Sequence, residues 1–477
     1  MAMASDQQLL FPAVDRFIAE QMALGRTPGL AVTALRDGEI VMQRGYGYAD
    51  TASREPMTER TSVVIGSTTK ALTCVAVLQL AEQGKLALDD PIQRHIPWFR
   101  VADETASARM TVRHAITHTA GLPSSAADNT TFLFSDDAAD DALERHVRSL
   151  VDTHVLWQPG EGWVYANDGF VIAGLIIQIV SGLPYEEYMR RSVLSPLDLT
   201  DTAFGRDEKP GLHVATPYDY DADGQPYPSF FAHNRASAAA GAQLIMSARD
   251  AGRWLRAMID VGRVEEGGLL SRANYDELVR PQVAIVDQSR GGAMEDGEAW
   301  YGLGWMIGRM HDTRTFSHGG ATITMGSQFI VAPDERLAVA VVANSVTDVT
   351  AIVGEGVLGL LRGREPRRSF PRIDPMARLD HMRGRRLVGT YRPLYPQNKV
   401  TGPWTIALDS ERLRVRTYPG DSHRRPGDIF LLPFDETSFV LFGRGRTGGI
   451  ARFEIDGDTV RGTWEGVPIE KVTGGDR

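Results

Sequence analysis

From Thr68 to Gln83 the chain sets Leu72, Val75, Ala76, Leu78 and Leu80 in a strongly apolar helical pattern that stops at Gly84. Such a helix needs a core to bury it, and 477 residues are enough to build a substantial one. At its start stand Ser67 and Lys70, three positions apart in GSTTKALTC. A serine in a first helical turn lies near unsatisfied backbone donors, and a residue three positions on covers the same face. Two readings are open. Ser67 caps the helix while Lys70 solvates its surface, or Ser67 is a nucleophile and Lys70 its base. The second requires a lysine held partly deprotonated by burial or a neighbouring cation. It would also use the helix amino end to stabilise the negative oxygen that develops in acyl transfer. Spacing alone does not choose between them.

The chain opens with Phe11, Val14, Phe17, Ile18 and Met22 at helical spacing. PGLAVTALRDGEIVMQRGYGYAD then predicts two strands joined at Asp37-Gly38, a favoured tight-turn pair. Helical patterns follow at 141–151, 168–181, 184–194 and 247–259. Strand-like runs return in YGLGWMIGRM, SQFIVAP and RLAVAVVANS before a closing helix in IVGEGVLGLLRG. Helices therefore interrupt the sequence of one sheet whose early and late strands are expected to join. REPRRSFPRIDPMARLD, residues 364–380, combines prolines and arginines with little apolar periodicity and reads as a linker. Beyond it, short alternating runs such as WTIALD, ERLRVRTY, SFVLFG and ARFEID predict a small antiparallel barrel or sandwich.

Composition narrows the classes. A formal charge of −10 asks for no nucleic acid, and a single cysteine, Cys74, excludes an internal disulfide framework or a cysteine-rich metal site. The opening MAMASDQQLLFPAVDRF has acidic residues and no long apolar stretch behind a basic start, and FVIAGLIIQIV is too short to span a bilayer. A cytoplasmic monomer or homo-oligomer without membrane partners is expected.

STTKALTCVAVLQLAEQGKLALDDPI resembles the nucleophile helix of the serine beta-lactamase and penicillin-binding protein superfamily. The closer likeness is to the branch of class C beta-lactamases, D-alanyl-D-alanine carboxypeptidases, D-aminopeptidases and related esterases. TVRHAITHTAGLP, the region around WVYANDGFVIAGLIIQIVSGLP, SARDAGRW, YGLGW and HGGATITMGSQFIVAPDERLAVAVVAN resemble further segments of that branch in its order, over about 12–360. The resemblance implies an α+β fold, a beta-lactamase-like antiparallel sheet flanked by helices with a large helical region. It also implies a carboxy-terminal antiparallel β-barrel like those appended to some D-aminopeptidases. The expected division is 1–362, a linker 363–384, and 385–477. Carried over, Ser67 is the acylated serine, Lys70 its paired lysine, and Tyr165 the tyrosine sharing proton transfer. Asn167 is the polar residue holding substrate amide and lysine. His318 and Gly320, in HGG, line the opposite wall, and the backbone N–H of Ala321 completes an oxyanion hole with that of Ser67. No cofactor or metal is implied. The expected activity is hydrolysis of small amides, D-amino-acid peptides or esters through an acyl-enzyme, with a beta-lactamase or D,D-carboxypeptidase as the rival enzyme and an inactive binding protein as the rival class.

On physical grounds, tyrosine serves as acid or base when a nearby cation stabilises its phenolate, which Lys70 would supply. A neutral histidine at 318 attracts a substrate carboxylate less than a lysine would. His114, His118 and His154 fit no metal-ligand spacing, and His118 is expected to make structural hydrogen bonds. Cys74, on nearly the same helical face as Ser67 and Lys70, is expected to pack behind them. GRGRTGG at 443–449 lacks the lysine of a phosphate loop and reads as a barrel turn. Trp157 and Trp163 either border the cleft or belong to a core.

Overall fold

A computed structural model describes residues 2–123, 137–205, 208–209, 211–231, 234–260, 268–285, 299–322, 324–372, 381–393, 404–409, 412–417, 429–433, 437–442, 450–457, 459–464 and 467–472. The chain begins with helix α1 (Ala2–Gly25), strand β1 (Gly29–Arg36) and strand β2 (Glu39–Asp50). Asp37 and Gly38 between the strands both have positive φ, 56° and 81°, the turn whose twist matches a right-handed hairpin. Helices α2 (Thr69–Glu82), α3 (Asn167–Ser181) and α4 (Ala248–Asp260) belong to the long insertion that follows. The sheet resumes with β3 (Met306–Met310), β4 (Thr313–Ala321), β5 (Gly326–Ala332) and β6 (Leu337–Ala343), and α5 (Val349–Leu361) follows.

β1 pairs antiparallel with β6, from Leu30 opposite Ala343 to Leu35 opposite Ala338, so the first and last strands meet at the sheet centre. The complete sheet has nine strands, in the order Glu55–Pro56, β2, β1, β6, β5, β4, β3, Trp300–Tyr301, Val283–Ala284. Alternation along its central strands feeds two cores. Leu30, Val32, Ala34, Val339 and Val341 pack with Val14, Ile18 and Met22 of α1 and Ile352, Val353 and Val357 of α5. Ala31, Leu35, Ala338, Ala340 and Val342 face the core that includes Leu72 and Val75 of α2, Phe170 of α3 and Trp254 of α4. β6, LAVAVVA, is covered on both faces and is apolar throughout for this reason.

α2 lies within that second core. Eleven of its fourteen residues are buried, including Thr69, Lys70 and Thr73, so no polar stripe faces water. Thr73 satisfies its hydroxyl on the Ala239 carbonyl at 2.9 Å and the Tyr185 hydroxyl at 2.8 Å. Among the described residues no single helix is long and apolar enough to cross a membrane, and the apolar α3 is largely buried in the core.

Eight strands, from Gly389–Pro393 to Val467–Lys471, close into a barrel, each paired antiparallel with its sequence neighbours and the last with the first. The alternation is compatible with a barrel or a sandwich, and the barrel forms. Its closing strands carry prolines and little alternation, so the sequence pattern does not mark them. Tyr391, Leu413, Leu431, Leu441 and Phe453 fill the interior. Strand Ser438–Phe442 is buried on both sides: Phe439 and Leu441 point into the barrel, whereas Val440 and Phe442 join the α1/α5 core with Tyr220 and Phe370.

Three expectations change. YGLGWMIGRM is a hairpin, because Trp300–Tyr301 pairs back on β3 and Gly304, at φ +73°, turns between them. The helix expected at 184–194 is regular only over Tyr185–Met189, after which Arg190–Leu194 widens to a π-turn ahead of Pro196. The first part of the linker is docked: Phe370 is buried with its N–H on Gln21 Oε1 at 2.7 Å, and Arg364, Arg368 and Arg372 pair with Asp312, Glu355 and Glu20. One apolar residue among many arginines leaves no periodicity to read. Residues 373–380 and GRGRTGG lie outside the described residues.

Phe442 sits 5.6 Å from the Tyr220 ring and 6.3 Å from that of Phe370, centroid to centroid. Phe442→Ala is expected to lower stability by about 3–5 kcal/mol, the usual loss for a buried phenylalanine. Urea unfolding followed by tryptophan fluorescence and by limited proteolysis of the barrel would measure it.

Candidate active site

α2 is entered through a tight turn, Gly66–Thr68, seated against the end of β4. Gly66 has φ +63°, and a Cβ there would lie 2.5 Å from the backbone nitrogen of Ala321. A side chain at Gly320 would strike the Ile65 carbonyl. Only glycine permits this approach of backbone to backbone, which brings the Ser67 turn beside the Ala321 amide. The turn is tied by Thr68 Oγ1, donating to the Ile65 carbonyl at 2.9 Å, and by Ser327 Oγ, donating to the same carbonyl at 2.5 Å.

Lys70 is fully buried, and three oxygens surround its Nζ: Ser67 Oγ at 3.0 Å, Asn167 Oδ1 at 2.9 Å and the Ala240 carbonyl at 2.5 Å. Two of these can only accept. An ammonium would donate to all three oxygens, whereas an amine would donate to Asn167 and Ala240 and turn its lone pair to the Ser67 hydroxyl. Either state keeps the nitrogen in place. The ring of Tyr165 lies 4.9 Å from Nζ and that of Phe170 lies 5.3 Å away.

Ala166 is extended and Asn167 is the first residue of α3, so the side chains of Tyr165 and Asn167 sit on either side of a loop-to-helix junction. His118 fixes that junction. Its carbonyl accepts from the Val164 N–H at 2.9 Å and its Nδ1 from the Ala166 N–H at 3.1 Å, while its ring lies 4.2 Å from that of Tyr165. This is a structural role of the kind expected for His118.

His318, on β4, is buried, with Nδ1 at 2.6 Å from the Gly319 carbonyl and Nε2 at 3.3 Å from the Tyr301 hydroxyl. Its ring is 6.1 Å from those of Tyr165 and Tyr301. Tyr301 is completely buried and also lies 4.6 Å from the His118 ring. The four rings close a circuit around one side of Tyr165. All seven residues expected from the sequence, Ser67, Lys70, Tyr165, Asn167, His318, Gly320 and Ala321, thus belong to one neighbourhood. Serine, buried lysine and tyrosine beside a glycine-permitted pair of backbone amides can support nucleophilic attack on a carbonyl.

A profile of the Beta-lactamase family matches residues 14–356, which contain this whole arrangement. The chain belongs to the beta-lactamase family. Protein flp of Staphylococcus aureus (strain N315) is 25% identical over 336 residues, covering 69% of this chain and 62% of that protein, so the chain spans about three fifths of its curated relative. The fold is shared with the octameric penicillin-binding protein homologue from Pyrococcus abyssi, with a TM-score of 0.65, 24% identity, and coverage of 97% of this chain and 100% of that one. It is shared also with the D-amino acid amidase from Ochrobactrum anthropi SV3 complexed with D-phenylalanine, with a TM-score of 0.63, 24% identity, and coverage of 74% and 99%.

Two contributors to this beta-lactamase-family site escape sequence reasoning. Ala240 acts through its carbonyl, which carries no side-chain signal, although the run ASAAAGA marks a place where backbone can approach closely. Tyr301 lies in YGLGW, which the family resemblance covers without assigning it a role. The remaining candidates are structural. Cys74 is buried behind the site, and burial pushes its thiol far above the usual range, opposing thiolate chemistry. Trp163 packs with Tyr165, Ile285 and Tyr301. Trp157 is half-buried over Gly162. His154 is exposed, and among the described residues no group of three potential ligands gathers for a metal.

His114 serves a short helix, Val112–Ile116, by accepting the Thr111 N–H on Nδ1 at 3.2 Å. Burial lowers its pKa from the ordinary histidine value. The unfolded chain therefore binds the proton first as pH falls below about 6.5, and folding stability declines across that window. His114→Gln is expected to flatten the decline between about pH 6.5 and 5, measured as urea midpoints against pH.

Proposed function

We propose that the protein is a serine hydrolase working through an acyl-enzyme on small amide, D-amino-acid peptide or ester bonds. The placement of Lys70 Nζ, 3.0 Å from Ser67 Oγ and fixed by Asn167 and Ala240, carries the reading. Ser67 Oγ attacks the carbonyl carbon as the Lys70 amine takes its proton, and the carbonyl π pair moves to oxygen, which the Ser67 and Ala321 amides stabilise. Collapse breaks the bond to nitrogen or oxygen, and Tyr165 passes the proton to the leaving group. Water then attacks the ester, with the same groups handling its proton. The Asn167 amide can donate to the substrate carbonyl chain, and His318 with Gly319 and Gly320 forms the facing wall. Residues 1–362 would carry the chemistry, 363–384 connect, and 385–477 form the appended barrel. The octameric state named for the Pyrococcus abyssi relative supports self-association of this chain also.

Intact-protein mass spectrometry after mixing with a p-nitrophenyl ester, D- and L-amino-acid amides and a beta-lactam tests the reading. A transient adduct or turnover lost in Ser67→Ala is expected. A long-lived adduct confined to the beta-lactam would favour a penicillin-binding role. No adduct and no turnover with any probe would favour a binding protein. Tyr165→Phe is expected to lower kcat by about 10²–10⁴-fold, the range for losing a proton-transfer group, with the fold retained by circular dichroism.

A further inference from the structure

The circuit of rings beside Tyr165 constrains His318 in a way its motif does not announce. A carbonyl oxygen only accepts, so the 2.6 Å contact to Gly319 places the proton of a neutral imidazole on Nδ1. Nε2 is then an acceptor and takes the Tyr301 hydroxyl hydrogen at 3.3 Å. Both nitrogens are engaged by the protein. Tyr301 is immovable at this place: it is fully buried on the short strand Trp300–Tyr301, paired with Met306 of β3 and Val283, and wedged against His118 and Trp163. Among the described residues whose contacts reach the imidazole or its neighbouring rings, three further ionisable groups come from three elements. They are Tyr165 before α3, Lys70 on α2 next to Tyr165, and His118 stacked behind Tyr165. None of these three groups is a carboxylate, so none of them offers an imidazolium a counter-charge.

Resting on the hydrolase reading, we propose that Tyr301 is a specificity-determining residue that holds His318 as a neutral Nδ1–H imidazole with Nε2 turned into the protein, so that this wall of the cleft selects acyl substrates lacking a carboxylate there. A cation is what a carboxylate needs at this position, and a neutral ring whose nitrogens are occupied offers it none. Tyr301 touches no reacting atom in this scheme. It acts through His318, and its loss shows in discrimination rather than in the chemical step alone.

The test uses the full chain and two p-nitrophenyl esters of matched shape, one acyl chain ending in a carboxylate and the other in a carboxamide. In the wild type the carboxamide is preferred, and the ratio of kcat/KM values stays flat from pH 5.5 to 8.5. In Tyr301→Phe, which releases Nε2, the preference falls by about tenfold at pH 5.5 and recovers at pH 8.5, a change of about 1.4 kcal/mol. A wild-type ratio that itself falls on acidification, and stops doing so in His318→Gln, would overturn the proposal, as would an unchanged ratio in a folded Tyr301→Phe variant. Selective ¹⁵N-histidine labelling supplies a readout independent of turnover. The ring signals of His318, assigned with His318→Gln, are expected to show a protonated Nδ1 and an unprotonated Nε2 between pH 6 and 8. The opposite tautomer or an imidazolium overturns the proposal even if neither ester is hydrolysed. Failure of both esters to acylate Ser67, with the Nδ1–H tautomer present, counts against the hydrolase reading instead.

Discussion

A lysine side chain with no access to water sets the terms for this molecule. Burying Lys70 requires acceptors for its nitrogen, and they come from three separate places: Ser67 one turn earlier, Asn167 at the start of α3, and the Ala240 carbonyl. Each must be held to a few tenths of an ångström. α2 is held by apolar packing on every side, α3 by the His118 contacts to the chain before it, and the Ala240 segment by the Ala239 carbonyl on Thr73. Three segments of the large helical insertion thus meet at one nitrogen.

Glycine sets the second constraint. Two chains of backbone, the turn before α2 and the end of β4, come closer than any Cβ would allow. The two amides are adjacent because Gly66 and Gly320 have no side chains there. In the proposed mechanism it is position, rather than any special functional group, that would let ordinary backbone N–H groups face a developing oxyanion.

Much of this was legible beforehand where side-chain chemistry and periodicity coincide. The apolar run after Thr68, the Asp37-Gly38 hairpin and the valine-rich late strands each match the element formed. Ser67, Lys70, Tyr165 and Asn167 were found through ordered motifs, and they converge. What escaped has a common cause, since it depends on backbone groups or on partners distant in sequence. The Ala240 carbonyl has no letter of its own. Tyr301 looks like a strand residue until the hairpin at Gly304 sets it between two histidines. Phe370 looks like one apolar residue in a basic linker until Phe442, on the barrel, meets it.

The pairing of β1 with β6 has a consequence for biogenesis. A ribosome releases Leu30 more than three hundred residues before its partner Ala343, so the first hairpin waits with one edge open through most of synthesis. α2, with hardly a polar face, is made early in that interval and gains its main helical cover only when α3 follows about a hundred residues later. For the first hairpin, the order of translation therefore opposes the order of burial. Folding of the main sheet is post-translational in character, governed by a late closure between chain ends of high sequence separation. The exposed edge of that waiting hairpin, rather than the finished fold, is then the part of the chain most open to wrong pairing.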